Sequence, residues 1–95
     1  MAKPTRLYII AYDSPNDRRR TKLHRLLKGF GRWTQYSLFE CWLNDTDLVK
    51  LRSRLDKLLK ESEDSVRLYP LCAKCVEDVE TIGSAVPKEE MLFLI

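Results

Sequence analysis

At 95 residues with a formal net charge of +3, the chain has the size of one domain, whose core buries roughly 60 to 70% of the surface that the unfolded chain exposes. Apolar content of 44%, with only 3 Gly and 4 Pro, excludes a disordered chain. No apolar run approaches the ~20 residues of a membrane span, and three cysteines fit reduced thiols better than a disulfide framework.

Met1-Ala2-Lys3-Pro4 leads into the first element without a signal-peptide pattern, so a cytoplasmic protein is expected. Leu7-Tyr8-Ile9-Ile10-Ala11-Tyr12-Asp13 reads as a buried central strand: ring and β-branched side chains suit a pleated surface, and Pro15 cannot continue the ladder. Asp13 then closes a rigid strand. Ser14 is the expected N-cap and Pro15 the first helical residue of a helix starting at about residue 15. Leu23, Leu26, Leu27 and Phe30 form its apolar stripe, Arg18, Arg19, Lys22 and Arg25 project elsewhere, and Gly29 and Gly31 end it. The first 32 residues hold nine Lys/Arg against Asp13 and Asp17, whereas the remainder holds eight against twelve acidic residues. Such segregation points to an anionic partner for the first third, a solvated helix face being the plainer alternative.

Trp33 to Leu43 reads as a long second strand, with Phe39, Cys41 and Leu43 on one face and Tyr36, Leu38, Glu40 and Trp42 on the other. Both faces are largely apolar, so something must cover the second, and another copy of the sheet is the economical candidate. Asn44-Asp45-Thr46-Asp47 supplies caps for a helix whose Leu48, Leu51, Leu55, Leu58 and Leu59 keep helical spacing to about Lys60. Glu61 to Asp64 is a polar turn, Ser65 to Leu71 a third strand, and Val79 to Ile82 a short fourth. Gly83 to Lys88 reads as a loop. The apolar end Met91 to Ile95 demands burial, either in its own sheet or by strand addition to a partner. Read literally, the order is β-α-β-α-β-β. It becomes the split β-α-β-β-α-β pattern if the run 33–43 bends into two strands.

For chemistry, Asp13 is the leading candidate. A strand-end carboxylate beside a basic helix can ligate a hard cation near phosphates, although an aspartate there also serves as a plain turn cap. One carboxylate does not complete a Mg²⁺ site, but two copies related by symmetry would bring two together. Cys72-Ala73-Lys74-Cys75 has the spacing of half a zinc site with no second half. His24 reads as a surface or boundary residue, and Ser37 as a mid-strand residue without a base. Tyr8, Tyr12, Trp33, Tyr36 and Trp42 fit a core or interface better than base stacking.

Leu-Tyr-Ile-Ile-Ala-Tyr-Asp followed by a basic helix, Lys-Gly-Phe-Gly-Arg-Trp-Thr-Gln-Tyr-Ser-Leu-Phe-Glu-Cys, and Asp-Ser-Val-Arg-Leu-Tyr-Pro-Leu together resemble the CRISPR-associated protein 2 family over nearly the whole length. The resemblance implies an α+β, ferredoxin-like βαββαβ domain with a four-stranded antiparallel sheet, two helices on one face and a bend near Tyr36 to Glu40. It further implies a core over residues 1–82 and an extension over 83–95 whose extra strand joins the partner subunit of a homodimer. It matches Asp13 to the family's metal-binding aspartate, for Mg²⁺ or Mn²⁺ in its place. Arg20, Ser37 and Phe39 match other catalytic-site positions, with Ser14 beside them. Arg18, Arg19, Arg20, Lys22 and Arg25 are the expected nucleic-acid contacts. The implied activity is metal-dependent endonuclease action on RNA or duplex DNA. Alternatively, the chain is a non-catalytic DNA-binding scaffold for a CRISPR-associated integrase. The Cys-x-x-Cys pair has no counterpart in that pattern.

Overall fold

The computed structural model describes residues 4–83. The elements run β1 (Arg6–Asp13), α1 (Asp17–Lys28), β2 (Arg32–Gln35), β3 (Leu38–Leu43), α2 (Asp45–Leu58), β4 (Ser65–Leu71) and a short α3 (Ala73–Glu77). The four strands form one antiparallel sheet in the order β2-β3-β1-β4. With α1 and α2 packed against it, this is the expected ferredoxin-like arrangement.

Strand alternation sorts the residues between two faces. Ile10, Tyr12, Phe39, Cys41 and Leu43 turn toward the helices and join Leu23, Leu27, Leu51, Leu55 and Trp33 in one core. Ile9, Ala11, Leu38, Trp42, Tyr69 and Leu71 occupy the other face, where Trp42 stays 54% and Tyr69 45% exposed.

The run 33–43 does break in two. Tyr36 adopts a left-handed backbone (φ 48°), which costs an ordinary side chain about 1–2 kcal/mol. Two bonds hold the turn in place: Trp33 Nε1 donates to Tyr36 O at 2.7 Å, and Thr34 Oγ1 donates to Leu38 O at 3.2 Å. Ser37 therefore lies in a hairpin turn rather than mid-strand. Just before β2, the chain passes so close to β3 that a Cβ on Gly31 would come within 2.8 Å of Cys41 Cα.

Two local expectations need correction. Asn16, not Ser14, caps α1, accepting from Arg19 N at 2.9 Å; Ser14 is committed to a tertiary bond described below. Residues 79–82 form no strand. The chain leaves β4 at Cys72, which caps the helical turn α3, and Val79 and Ile82 end up exposed. The helix after Asn44 ends at Leu58, with Asn44 and Asp47 forming a reciprocal cap at its start. Pro70 is tolerated in β4 because, among the described strands, β4 is an edge. Most of the loop expected at 83–88 and the strand expected at 91–95 lie outside the described residues.

Candidate functional site

Asp13 is the last residue of β1, opposite Ser65 on β4. By alternation it shares the open face with Ile9 and Ala11, and it is exposed. The carboxylate thus stands at the rim of the face the helices leave uncovered. The strand behind it is held by neighbours on both sides, so its position is set by the sheet rather than by a loop.

The turn after Asp13 is tied down from inside the protein. Ser14 Oγ donates to Asp64 Oδ1 at 2.6 Å, and both residues are buried. Asp64 also accepts from the Lys60 amide at 2.9 Å and from Arg19 Nε at 2.7 Å. Burial by itself would raise the Asp64 carboxyl. The Ser14 hydroxyl, the Lys60 amide and the Arg19 guanidinium outweigh burial and hold it at about 2, below its ordinary 3.8. Arg19 reaches Glu63 as well, at 3.2 Å. This guanidinium is therefore engaged inside the protein and is not the open phosphate contact expected of it. Arg20 donates to Ser14 O at 3.0 Å and pairs with Asp17, bracing the same turn from its outer side.

Three of the other basic residues expected to contact nucleic acid lie on the open side of α1. Arg18, Lys22 and Arg25 recur at i, i+4 and i+7, so they share one helix face. With Asp17 and Thr21 they line an open groove of about 470 Å³. Cations spaced along a groove suit a phosphodiester backbone better than a compact anion.

Beneath Asp13 lies an aromatic cluster that sequence reasoning missed. The Tyr12 hydroxyl and His24 Nδ1 share a hydrogen bond of 3.0 Å, and the His24 ring packs edge-on against Phe39 at 5.0 Å and Trp33 at 6.2 Å. His24 is buried, contrary to the surface or boundary position expected of it. A single imidazole next to the apolar stripe gives no hint of a tyrosine partner on another element. Burial raises the Tyr12 hydroxyl, with the Ser37 hydroxyl and the Arg20 charge opposing it. Phe39 is wholly buried, so it supports Tyr12 and His24 and cannot touch a substrate. Ser37 is half-buried, and its carbonyl accepts from Tyr12 N at 3.1 Å.

Asp13 offers one hard oxygen donor on a fixed strand end, which fits a Mg²⁺ ion completed by waters and substrate phosphate. Among the described residues, no three His, Cys, Asp or Glu side chains gather to form a closed metal cage.

Comparison with known proteins places this arrangement. The family model described as CRISPR associated protein Cas2 matches residues 6–79. The chain is 47% identical over 77 residues to "CRISPR-associated endoribonuclease Cas2 3" of Synechocystis, covering 81% of this chain and 84% of that one. It is 45% identical over 78 residues to "CRISPR-associated endonuclease Cas2 2" of Thermus thermophilus, covering 82% of each. Its fold superposes on a chain of a partial Cas6-RT-Cas1–Cas2 complex with a TM-score of 0.70 and 30% identity, covering 81% of this chain and 90% of that one. With the sheet order, the strand-end aspartate and the split hairpin all in place, the chain belongs to the CRISPR-associated Cas2 family.

Proposed function

We propose that this protein is an endonuclease of CRISPR adaptation that cleaves phosphodiester bonds in RNA or duplex DNA with Mg²⁺, acting as a cytoplasmic homodimer. The supporting observation is the placement of Asp13 at the rim of the sheet face that the helices leave uncovered, in a chain whose α1 carries Arg18, Lys22 and Arg25 along a groove on its solvent side. Covering that face with a second copy would bury Ile9, Ala11, Leu38, Trp42 and Tyr69, and a two-fold axis passing close to the Asp13 end of β1 would bring the two carboxylates together.

Asp13 from each copy would hold the ion. Bound Mg²⁺ supplies a water of lowered pKa and neutralises charge at the scissile phosphate. The remaining work falls to the chain itself. Arg18, Lys22 and Arg25 bind flanking phosphates, Arg20 fixes the turn after Asp13, and the Ser14–Asp64–Arg19 bonds keep that turn from drifting. Such positioning matters because a misplacement of ~1 Å costs on the order of 100-fold in rate.

The test is cleavage by purified wild type and Asp13→Ala with Mg²⁺ or EDTA. The expected result is a loss of at least about 100-fold in the variant and in EDTA, with unchanged Tm. Undiminished cleavage by Asp13→Ala excludes this mechanism. A second reading, a non-catalytic DNA scaffold bridging integrase subunits, draws on the α1 groove, which needs no metal to bind phosphate, and on the likeness to the Cas1–Cas2 complex chain. On that reading Asp13→Ala keeps DNA affinity and spacer integration intact.

A further inference from the structure

Cys72 and Cys75 lie at the exit of β4, where the chain turns into α3, well away from Asp13 at the other end of the paired strand β1. Their sulfurs are 3.3 Å apart, and the Cys75 amide donates to Cys72 Sγ at 3.4 Å. Both side chains are exposed, whereas the third thiol, Cys41, is buried. A zinc site needs further ligands, and among the described residues no third His, Cys, Asp or Glu joins the pair. The two sulfurs already face each other across one helical turn. Closing them to a bond of about 2.05 Å calls for side-chain rotation and little backbone movement.

We propose that Cys72 and Cys75 are a redox-active dithiol, a two-electron thiol–disulfide couple that a low-molecular-weight disulfide oxidises and a dithiol reductant restores. The inference is independent of any nuclease activity.

The two thiols have different roles. The Cys75 amide and then the Cys75 thiol stabilise sulfur charge on Cys72 and draw its thiol below the ordinary value, while the Cys72 sulfur raises that of Cys75. Cys72 is thus the attacking thiolate and Cys75 the resolving thiol. The Cys72 thiolate attacks one sulfur of the incoming disulfide, whose S–S bond breaks and releases one thiolate. Cys75 then loses its proton to solvent and attacks Cys72 Sγ, releasing the second thiolate. Two electrons pass from the protein to the oxidant, and the two released thiolates take up protons. Burial pushes the Cys41 thiol up to about 11, which keeps it out of this exchange at neutral pH. Cys72 lines a groove of about 470 Å³ that it shares with Leu7, Leu71 and Trp42, so the attacking sulfur is open to a small disulfide.

The test uses the full chain, reduced with dithiothreitol, desalted and exposed to glutathione disulfide at neutral pH, then acid-quenched for mass spectrometry. The expected product has lost two hydrogens, carries no glutathione, maps to a Cys72–Cys75 bond and is restored by dithiothreitol. Cys75→Ser should trap glutathione on Cys72, and Cys72→Ser should accept it on Cys75 about tenfold more slowly. Circular dichroism of both variants guards against misfolding, and both are expected to match wild type because the side chains are exposed. Wild type that accumulates glutathione adducts without ring closure overturns the proposal. Equal rates in the two variants overturn the assignment of roles.

Discussion

Ser14 and Asp64 are 50 positions apart in the chain, yet the Ser14 hydroxyl donates to Asp64 Oδ1 at 2.6 Å, joining the turn after β1 to the turn before β4. Asp13 and Ser65, the neighbours of these two residues, are themselves paired across the strands. The bond and the strand pairing together hold the backbone that carries Asp13 against β4.

This junction should be visible as acid sensitivity. The Asp64 carboxyl sits at about 2 when folded, against 3.8 ordinarily. A depressed value means that the stabilisation is complete above about pH 4 and is lost as pH falls toward 2. Urea midpoints measured at pH 7, 4 and 3 should therefore drop between the last two values in wild type. In Asp64→Asn that step should flatten, on a lower overall stability. An identical pH profile in the variant would assign the acid sensitivity to other carboxylates.

The α1 arginines divide by orientation. Neutralising Arg18, Lys22 and Arg25 together should lower the slope of log K against log salt for duplex DNA by about 2 to 3, roughly one for each phosphate that is no longer neutralised. Arg19→Gln should leave that slope nearly intact and reduce Tm, because its guanidinium is engaged with Asp64 and Glu63. Filter binding at four salt concentrations separates the two outcomes.

Phe39 acts through packing. Phe39→Ala should cost about 3–5 kcal/mol of stability, as full truncation of a buried ring does. Phe39→Leu should retain nucleic-acid binding and any cleavage per folded molecule. A folded Phe39→Leu protein that has lost activity would instead show that the ring positions the Tyr12–His24 pair beyond filling the core.

Gly31 and Gly29 should respond differently to the same substitution. Gly31→Ala forces a methyl against Cys41 and the β3 backbone and should destabilise by about 1–3 kcal/mol. Gly29 has an ordinary helical backbone (φ −73°), so Gly29→Ala should stay within about 1 kcal/mol of wild type. Urea unfolding of the pair gives the comparison.

The open sheet face can be tested by charge insertion. Ile9→Asp sets a second carboxylate directly across from Glu40 on that face, where docking a second copy would bury two like charges side by side. Sedimentation velocity should show a dimer for wild type and a monomer for the variant, with the far-ultraviolet spectrum of the fold unchanged. A variant that still dimerises would put the interface on another surface.

The strand at Leu7–Asp13, the two faces of 38–43 and the leucine helix after Asn44 were legible in the amino-acid order, because alternation and helical spacing are local properties of a chain. Asp13 was legible for the same reason: it ends an apolar run. The roles of Arg18, Arg19 and Arg20 were not. Consecutive helical positions are rotated by about 100°, so three identical side chains meet three different surroundings. Only the packed structure shows that Arg19 meets Asp64, 45 residues away, while Arg18 faces the groove. His24 likewise found its hydroxyl partner on β1, and residues 79–82 form no strand after the helical turn that Cys72 caps. Local pattern determined which segments became strands and helices. The tertiary pairing of β1 with β4 decided which charges were spent inside the protein and which were left facing solvent, because electrostatic partners are set by distance in space and not by distance along the chain.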